Sequence, residues 1–525
     1  MKTSLPFEIS VGHAVSPPLP RLSRSRLNAL PQDVQRPSFD PAALRTGIVH
    51  LGCGSFHRAH QAFLTQQAIE AEQGLSALQG KSRPAPWGIV GASLQTPGTT
   101  QALAAQDGLY SVLERGPGQT RVSIVGTLCD LVFAPARPLA LRRALADPAV
   151  RIVTLTITTA GYVADPATGR LDASHPAVQQ DLQLVHPKSA IGVLVDGLAQ
   201  RRASGVLPPV VLCCDNLPSN GRLLRQLCID YAALHDDALA GWIAGQVQFP
   251  STMVDRIVPA TTDEDRAQAR RALGLVDAAP VSAEPFSQWV IEQFDGDRPR
   301  WDLVGAQYVA DVGPWEASKL RLLNGGHLAI ACLGLLAGCE TVADAMAVPG
   351  FAAYALRFML DEQKPTLPPS DHDINAYARQ LLARWRSRGI AHRLERVARD
   401  ASTKLPTRLL ASLRENRQAA RPAPCTLLAV AAWMRCVAGM NEAGRPIALS
   451  DPLHGQLQAA VSAAAPGPAG LVDALLGVTD VFGQDLAGDI RLRLSLAKAV
   501  GVLQQRGARG AVMACVAGTL LDGDA

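Results

Sequence analysis

Three side chains that could do acid–base chemistry lie close together in one apolar stretch: Lys319, Asn324 and His327. Pro314 precedes the stretch, Glu316 sits in its first turn and Gly338 follows its end, which is ordinary helix punctuation. At ~100° per residue, Asn324 lies ~140° from Lys319, with His327 between them. An amine, a carboxamide and an imidazole can therefore share one broad face of a helix that otherwise reads as buried. A buried lysine is costly. The ordinary reading of such a face is a polar stripe on a half-exposed helix. Gly325 and Gly326 weaken a helix, and are expected here to let sheet, cofactor or substrate approach its backbone.

Such a face needs a scaffold that brings a substrate to it. Residues 47–64 run from a short apolar strand through Gly52 and Gly54 into a helix expected to reach about Glu70. Any strand–glycine–helix connection can look like this. A dinucleotide-binding turn has the same form: glycines let the backbone approach a pyrophosphate, and free N–H groups at the helix start bind it. On that reading Gly52, Gly54, Ser55, Phe56 and His57 hold the cofactor, with His57 in place of the third glycine. A second strand at 87–93 follows at the right distance. No acid stands at its end for a ribose hydroxyl, so NAD is expected without excluding NADP, and the lack of a nearby arginine speaks against NADP.

Further strands are predicted at 122–125, 151–158 and 210–214, with helices at 139–146 and 189–203. Alternation of this kind implies a largely parallel sheet. The strand at 210 ends in Asp215-Asn216, where such sheets place ligands. Asp255-Arg256 marks another polar junction and reads, alone, as a surface ion pair. Beyond about 280 the pattern turns helical, broken at prolines near 365–369 and 422–424. The most basic stretch, 392–406, is a solvated helix face or a grip on an acidic substrate. The expected class is α/β: an extension over 1–45 that packs on the surface or frays, a Rossmann-like cofactor domain over 46–283, and a mostly helical substrate domain over 284–525.

Composition narrows the function. The chain has 525 residues, 48% hydrophobic and 18% charged, with net charge +4. That suits a globular protein and is too weak a charge to argue for nucleic acid. Binding to nucleic acid through the arginines of 379–399 is the weakest option. No apolar run is long enough for a membrane span, and the first residues do not resemble a secretion signal. The ten cysteines show no CxxC pair and no zinc-site spacing. Reduced thiols in a cytoplasmic protein, monomeric or a small homo-oligomer, are expected.

Together these segments resemble the mannitol dehydrogenase family, the polyol-specific long-chain dehydrogenases. The likeness rests on residues 48–60, 154–158 with Gly161-Tyr162, 214–216, 253–256 and 319–327, in that order. Stretches at 187–192, 249–260, 284–292, 305–312 and 404–406 look most like the fructuronate reductases (D-mannonate oxidoreductases) of that family. Two departures stand out: Leu328 follows the histidine where a serine is usual, and Ala401-Ser402-Thr403-Lys404 replaces a Gly-Ser-Gln-Lys pattern. The resemblance implies metal-free, reversible hydride transfer between a secondary alcohol carbon and nicotinamide. Lys319 would be the acid and base, Asn216 and Asn324 oxyanion donors, and His327 a hydroxyl partner. Asp255 would hold a hydroxyl or position the lysine, and Lys404 with Arg393 would pair with a hexuronate carboxylate. Neutral polyols such as mannitol or arabinitol are the alternative substrates, and a non-catalytic cofactor sensor is the alternative of another class.

Overall fold

The structure is a computed structural model that describes residues 19–78 and 87–521. Its centre is a five-stranded sheet in which every pairing is parallel. The strands are β1 (Thr46–Leu51), β2 (Gly88–Ser93), β5 (Leu128–Phe133), β6 (Ile152–Leu155) and β7 (Val210–Cys213), in the order β5-β2-β1-β6-β7. Strands β2, β6 and β7 are buried at every position, the pattern of a sheet covered on both faces. Helices at Pro138–Ala146 and Ala190–Ala203 match the predicted ones, the second capped by Ser189 Oγ on the Gly192 N–H. The chain moves outward from β1 through β2 to β5, then returns to the other side of β1. The order therefore reverses between β1 and β6, which is where doubly wound sheets bind ligands.

Two predicted features differ. The strand at 120–125 (β4) is not in this sheet: it forms a hairpin with β3 (Tyr110–Arg115), which pairs in turn with β9 (Val281–Ala283). Gly116-Pro117-Gly118-Gln119 makes the turn that folds it back. Strands also continue past residue 280. β10 (Gln288–Glu292) lies between β8 (Thr252–Asp255) and β11 (Gln307–Val309), so helices take over only from Gly313. Short strands of three to five residues carry too little alternation to announce themselves.

Of the predicted extension, residues 1–18 lie outside the described residues. From Leu19 onward it packs: Leu22, Leu30 and Val34 are buried against Leu113 and Ile124. The helical part is built around Gly326–Leu336, whose eleven residues are all buried. A helix apolar on all sides belongs in the middle of a bundle. It packs against Pro424–Val437, which in turn packs on Ile490–Ala517. Among the described residues no helix is long and apolar enough to cross a membrane.

Candidate active site

The helix carrying the polar face is not a regular α-helix. Gly313–Ser318 is α-helical, Lys319–Gly325 is a π-helical turn, and Gly326–Leu336 is α-helical again. In a π turn the hydrogen bonds run i→i+5, so residues five apart stand one turn above each other. Lys319 and Asn324, splayed by regular helical spacing, are thereby brought onto one side. His327 follows, and all three line one cleft of about 1040 Å³. The glycines serve a different contact from the one predicted. A Cβ at Gly325 would lie 2.7 Å from the Arg408 carbonyl oxygen, and one at Gly326 would lie 2.6 Å from the Trp385 ring. What comes close to both is the helical domain itself, not the sheet.

Lys319 is buried. Its Nζ donates to Asn216 Oδ1 at 2.6 Å and to the Val254 carbonyl at 2.6 Å. Burial lowers its pKa from the usual 10.5; Asp255 opposes this, while Arg384 and Arg408 add to it. Both partners sit at strand ends, Asn216 beyond β7 and Val254 in β8. Asn220 stitches those strands together: its Nδ2 donates to Cys213 O, Asp215 O and Thr252 O, and its Oδ1 accepts from the Thr252 N–H. Glu316 fixes the start of the helix by accepting the Ser219 N–H at 3.1 Å. The lysine is thus held between a sheet and a helix that are both pinned.

Asp255 is not part of a surface pair with Arg256. Both are buried, and each has another partner. Arg256 binds Glu114 at 2.6 Å, while the Asp255 carboxylate takes Arg384 at 2.6 and 3.2 Å. Arg384 also grips Glu284 at 2.7 Å and lies over the Phe286 ring at 4.0 Å. Asp255 lines the cleft, but its charge is committed to this triad. Arg384, within the stretch considered for nucleic acid, is therefore a buried clamp. No pattern in the sequence paired it with two acids more than ninety residues away.

His327 is buried, and its Nε2 has no partner among the described residues. Its ring meets Trp385 at 5.1 Å and His392 edge-on at 4.7 Å. Burial, then the charges of His392, Arg384 and Arg408, push its pKa well below the usual 6.5, so it is a neutral imidazole. Asn324 is half-buried in the cleft wall, and its carboxamide has no hydrogen-bond partner among the described residues.

At the other end of the cleft, Gly52 has φ +98, and a Cβ there would lie 1.9 Å from the Thr156 carbonyl oxygen. Only glycine fits this junction of β1 and β6. Gly52, Gly54, Ser55 and Phe56 line the cleft. His57 does not. It is fully buried behind the turn, stacked on His50 with centroids 3.4 Å apart. His50 in turn bonds Thr154 and Thr156, so the pair fills the space where a third glycine would let the helix approach. The expected long helix is interrupted at His60, giving Ser55–Ala59 and then Gln61–Leu78.

The basic wall also differs from expectation. Arg393 is exposed and absent from the cleft, because its backbone is tied to Thr341 at the mouth of a short helix. Arg396, one turn further, lines the cleft, as do Lys404 and Arg408. Lys404 Nζ is occupied by the main-chain carbonyls of Val397 and Arg399. Arg396 and His392 lie within the basic stretch 392–406, which does not single them out, and Arg408 lies just beyond it; only folding tells which of so many basic residues face inward.

Known proteins align with this arrangement. A family model described as the mannitol dehydrogenase Rossmann domain matches residues 46–303, and one described as the mannitol dehydrogenase C-terminal domain matches 311–503. An uncharacterised oxidoreductase of Escherichia coli (strain K12) is 41% identical, over 92% of this chain and 97% of its own. The D-mannonate oxidoreductase of the same organism is 40% identical, over 92% and 98%. The solved Pseudomonas fluorescens mannitol 2-dehydrogenase, a ternary complex with NAD and D-mannitol, superposes with TM-score 0.78 at 35% identity, covering 96% of this chain and 100% of that one. The chain belongs to the mannitol dehydrogenase family of oxidoreductases acting on CH–OH groups.

Proposed function

We propose that the protein is an NAD-dependent dehydrogenase that interconverts a secondary alcohol and a ketone on a sugar acid, with D-mannonate and D-fructuronate as the favoured pair. The observation that carries the reading is the state of Lys319. Its ammonium is buried without a bonded carboxylate, and two of its three donors are spent on Asn216 Oδ1 and Val254 O. The third remains for an oxygen in the cleft.

The residues suit the cofactor. Gly52 and Gly54 leave room at the sheet's switch point, and the first N–H groups of the helix opening at Ser55 have no intrahelical acceptor. Ser93, Gln95 and Thr96 stand at the end of β2, neutral groups that neither demand a free ribose hydroxyl nor repel a phosphate. NAD, when bound, supplies hydride acceptance and donation. The chain's own residues manage the proton and the oxygen. In the oxidative direction a neutral Lys319 takes the hydroxyl proton; in reduction its ammonium returns one. The Asn216 Nδ2 and the Asn324 carboxamide donate to the oxygen as negative charge grows on it. Neutral His327 orients a neighbouring hydroxyl.

The basic wall favours an acid over a neutral polyol. The likeness to mannitol 2-dehydrogenase favours the second reading, a neutral polyol such as D-mannitol. Oxidation of D-mannonate and D-mannitol, each with NAD and with NADP, separates the two and fixes the cofactor. Cofactor binding with no turnover on either substrate, or on their ketone counterparts, would sink the enzyme reading in favour of a sensor.

A further inference from the structure

The cleft contains a cation that bonds none of the side chains assigned to the acid–base chemistry. Arg408 sits on a π-helical turn, Pro406–Leu410, anchored by buried Leu405, Leu409 and Leu410. Its carbonyl lies against Gly325, so the turn is locked to the helix that carries Asn324 and His327. Its guanidinium is close enough to Lys319 and His327 for its charge to act on both. Yet it makes no hydrogen bond and no ion pair with any described residue. Burial pulls its pKa down, and no neighbouring acid offsets that.

A half-buried cation inside a cleft is partly desolvated, and without a counter-charge that desolvation is uncompensated. The other cations near the cleft are accounted for. Arg384 holds two carboxylates, Arg256 holds Glu114, and Lys404 is satisfied by main-chain oxygens. Arg396 is exposed. Arg408 alone combines partial burial, a fixed position and five donors with no partner among the described residues. A planar guanidinium in that state matches a carboxylate in two-point contact.

Resting on the reading of this cleft as a polyol or sugar-acid site, we infer that Arg408 is the specificity residue that receives the substrate carboxylate, the role expected of Arg393 and Lys404. It completes its own missing ion pair only when the substrate is an acid. A neutral polyol leaves the guanidinium with a hydroxyl at best.

D-Mannonate and D-mannitol test this cleanly. They share a carbinol stereochemistry and differ by a carboxylate in place of one terminal CH₂OH. Wild type, Arg408→Lys and Arg408→Met are compared on both, at saturating cofactor. For D-mannonate, Arg408→Met is expected to lower kcat/KM about 10²-fold, mainly through KM, since a bond between charged groups is lost. For D-mannitol the loss stays within about five-fold, the worth of one neutral hydrogen bond. Arg408→Lys should recover part of the D-mannonate loss. Equal loss on both substrates, or none on D-mannonate, overturns the assignment, as does Arg408→Lys behaving like Arg408→Met. Melting curves identify a variant that has merely unfolded.

A second arm needs no turnover. Calorimetric binding of D-mannonate to the wild-type chain should weaken with salt, and Arg408→Met should lose both the affinity and the salt dependence. Wild type that oxidises D-mannitol but neither binds nor oxidises D-mannonate overturns this inference and leaves the role of Lys319 standing. Wild type that binds D-mannonate through Arg408 yet turns over neither substrate overturns the Lys319 reading and supports this one.

Discussion

Replacing Lys319 with methionine separates chemistry from stability, because the two respond on different scales. Removing a positioned acid–base group costs roughly 10²–10⁴ in turnover, about 3–5 kcal/mol of barrier. The stability terms oppose each other. Methionine leaves Asn216 Oδ1 and the Val254 carbonyl without a donor, at about 1–3 kcal/mol each if no water reaches them. It also removes a buried ammonium and its desolvation cost, which offsets part of that loss. The melting temperature should shift by only a few degrees while kcat collapses. The pH dependence sharpens the test. Burial holds the folded-state pKa of Lys319 below 10.5, so between the two values the unfolded chain binds more protons than the folded one. Wild-type stability therefore gains with rising pH across that window and loses the gain as pH falls through the folded pKa. The methionine variant should lack this component. In the same range oxidation should rise with pH as the amine becomes neutral, and reduction should fall; both limbs should flatten in the variant. Steady-state kinetics in each direction, beside thermal melts over the same pH series, measure all of this. A variant retaining turnover within about ten-fold of wild type at neutral pH refutes the acid–base role.

Three further perturbations follow from the geometry. Asn216→Ala and Asn324→Ala should each lower kcat by roughly 10²–10³ as an oxyanion donor is lost, measured as single-turnover rates. Of the two, Asn216→Ala should also move the pH profile, because only Asn216 accepts a hydrogen bond from Lys319. Arg384→Met strands Asp255 and Glu284 without their cation and should cost about 3–5 kcal/mol, seen as a lower unfolding midpoint. The double change with Asp255→Asn should recover part of that cost. Gly52→Ala puts a Cβ 1.9 Å from a main-chain oxygen at φ +98, so NAD binding by fluorescence titration should fall sharply; unchanged affinity would remove the turn from the cofactor site.

The sequence made four of the five strands of the parallel sheet legible because they are apolar at most positions; the edge strand β5, half-exposed and carrying Asp130, was not. It made Lys319, Asn324 and His327 legible because polar groups stand out in an apolar run. It could not show the π turn, since one residue more per turn leaves no compositional mark. Nor could it show which basic residue faces inward. Arg393 and Arg396 differ by one helical turn, and a backbone bridge at Thr341 decides between them. His57 misled for a related reason. A motif position implies contact with a ligand only if the backbone follows the motif, and here the imidazole leaves the turn to stack on His50.

The placement of Asp255 is what the proposed acid–base role of Lys319 requires. Had its carboxylate bonded Lys319 directly, the ammonium would be held charged, and a charged amine cannot take a proton from an alcohol. The fold gives that carboxylate to Arg384 instead, and gives Arg384 a second acid in Glu284. Asp255 still acts on Lys319 through space, opposing burial. The lysine receives only neutral acceptors, a carboxamide oxygen and a peptide carbonyl, which fix its position with far less bias toward the ammonium. The triad also ties Arg384, on the helix Ile374–Arg386, to β8 and to the residue following β9. One set of ion pairs therefore joins the helical region to the sheets and leaves the Lys319 amine free of a bonded carboxylate. Neutralising Asp255 alone would leave Lys319 in place but less able to hold a proton, so the reductive limb should weaken before the oxidative one.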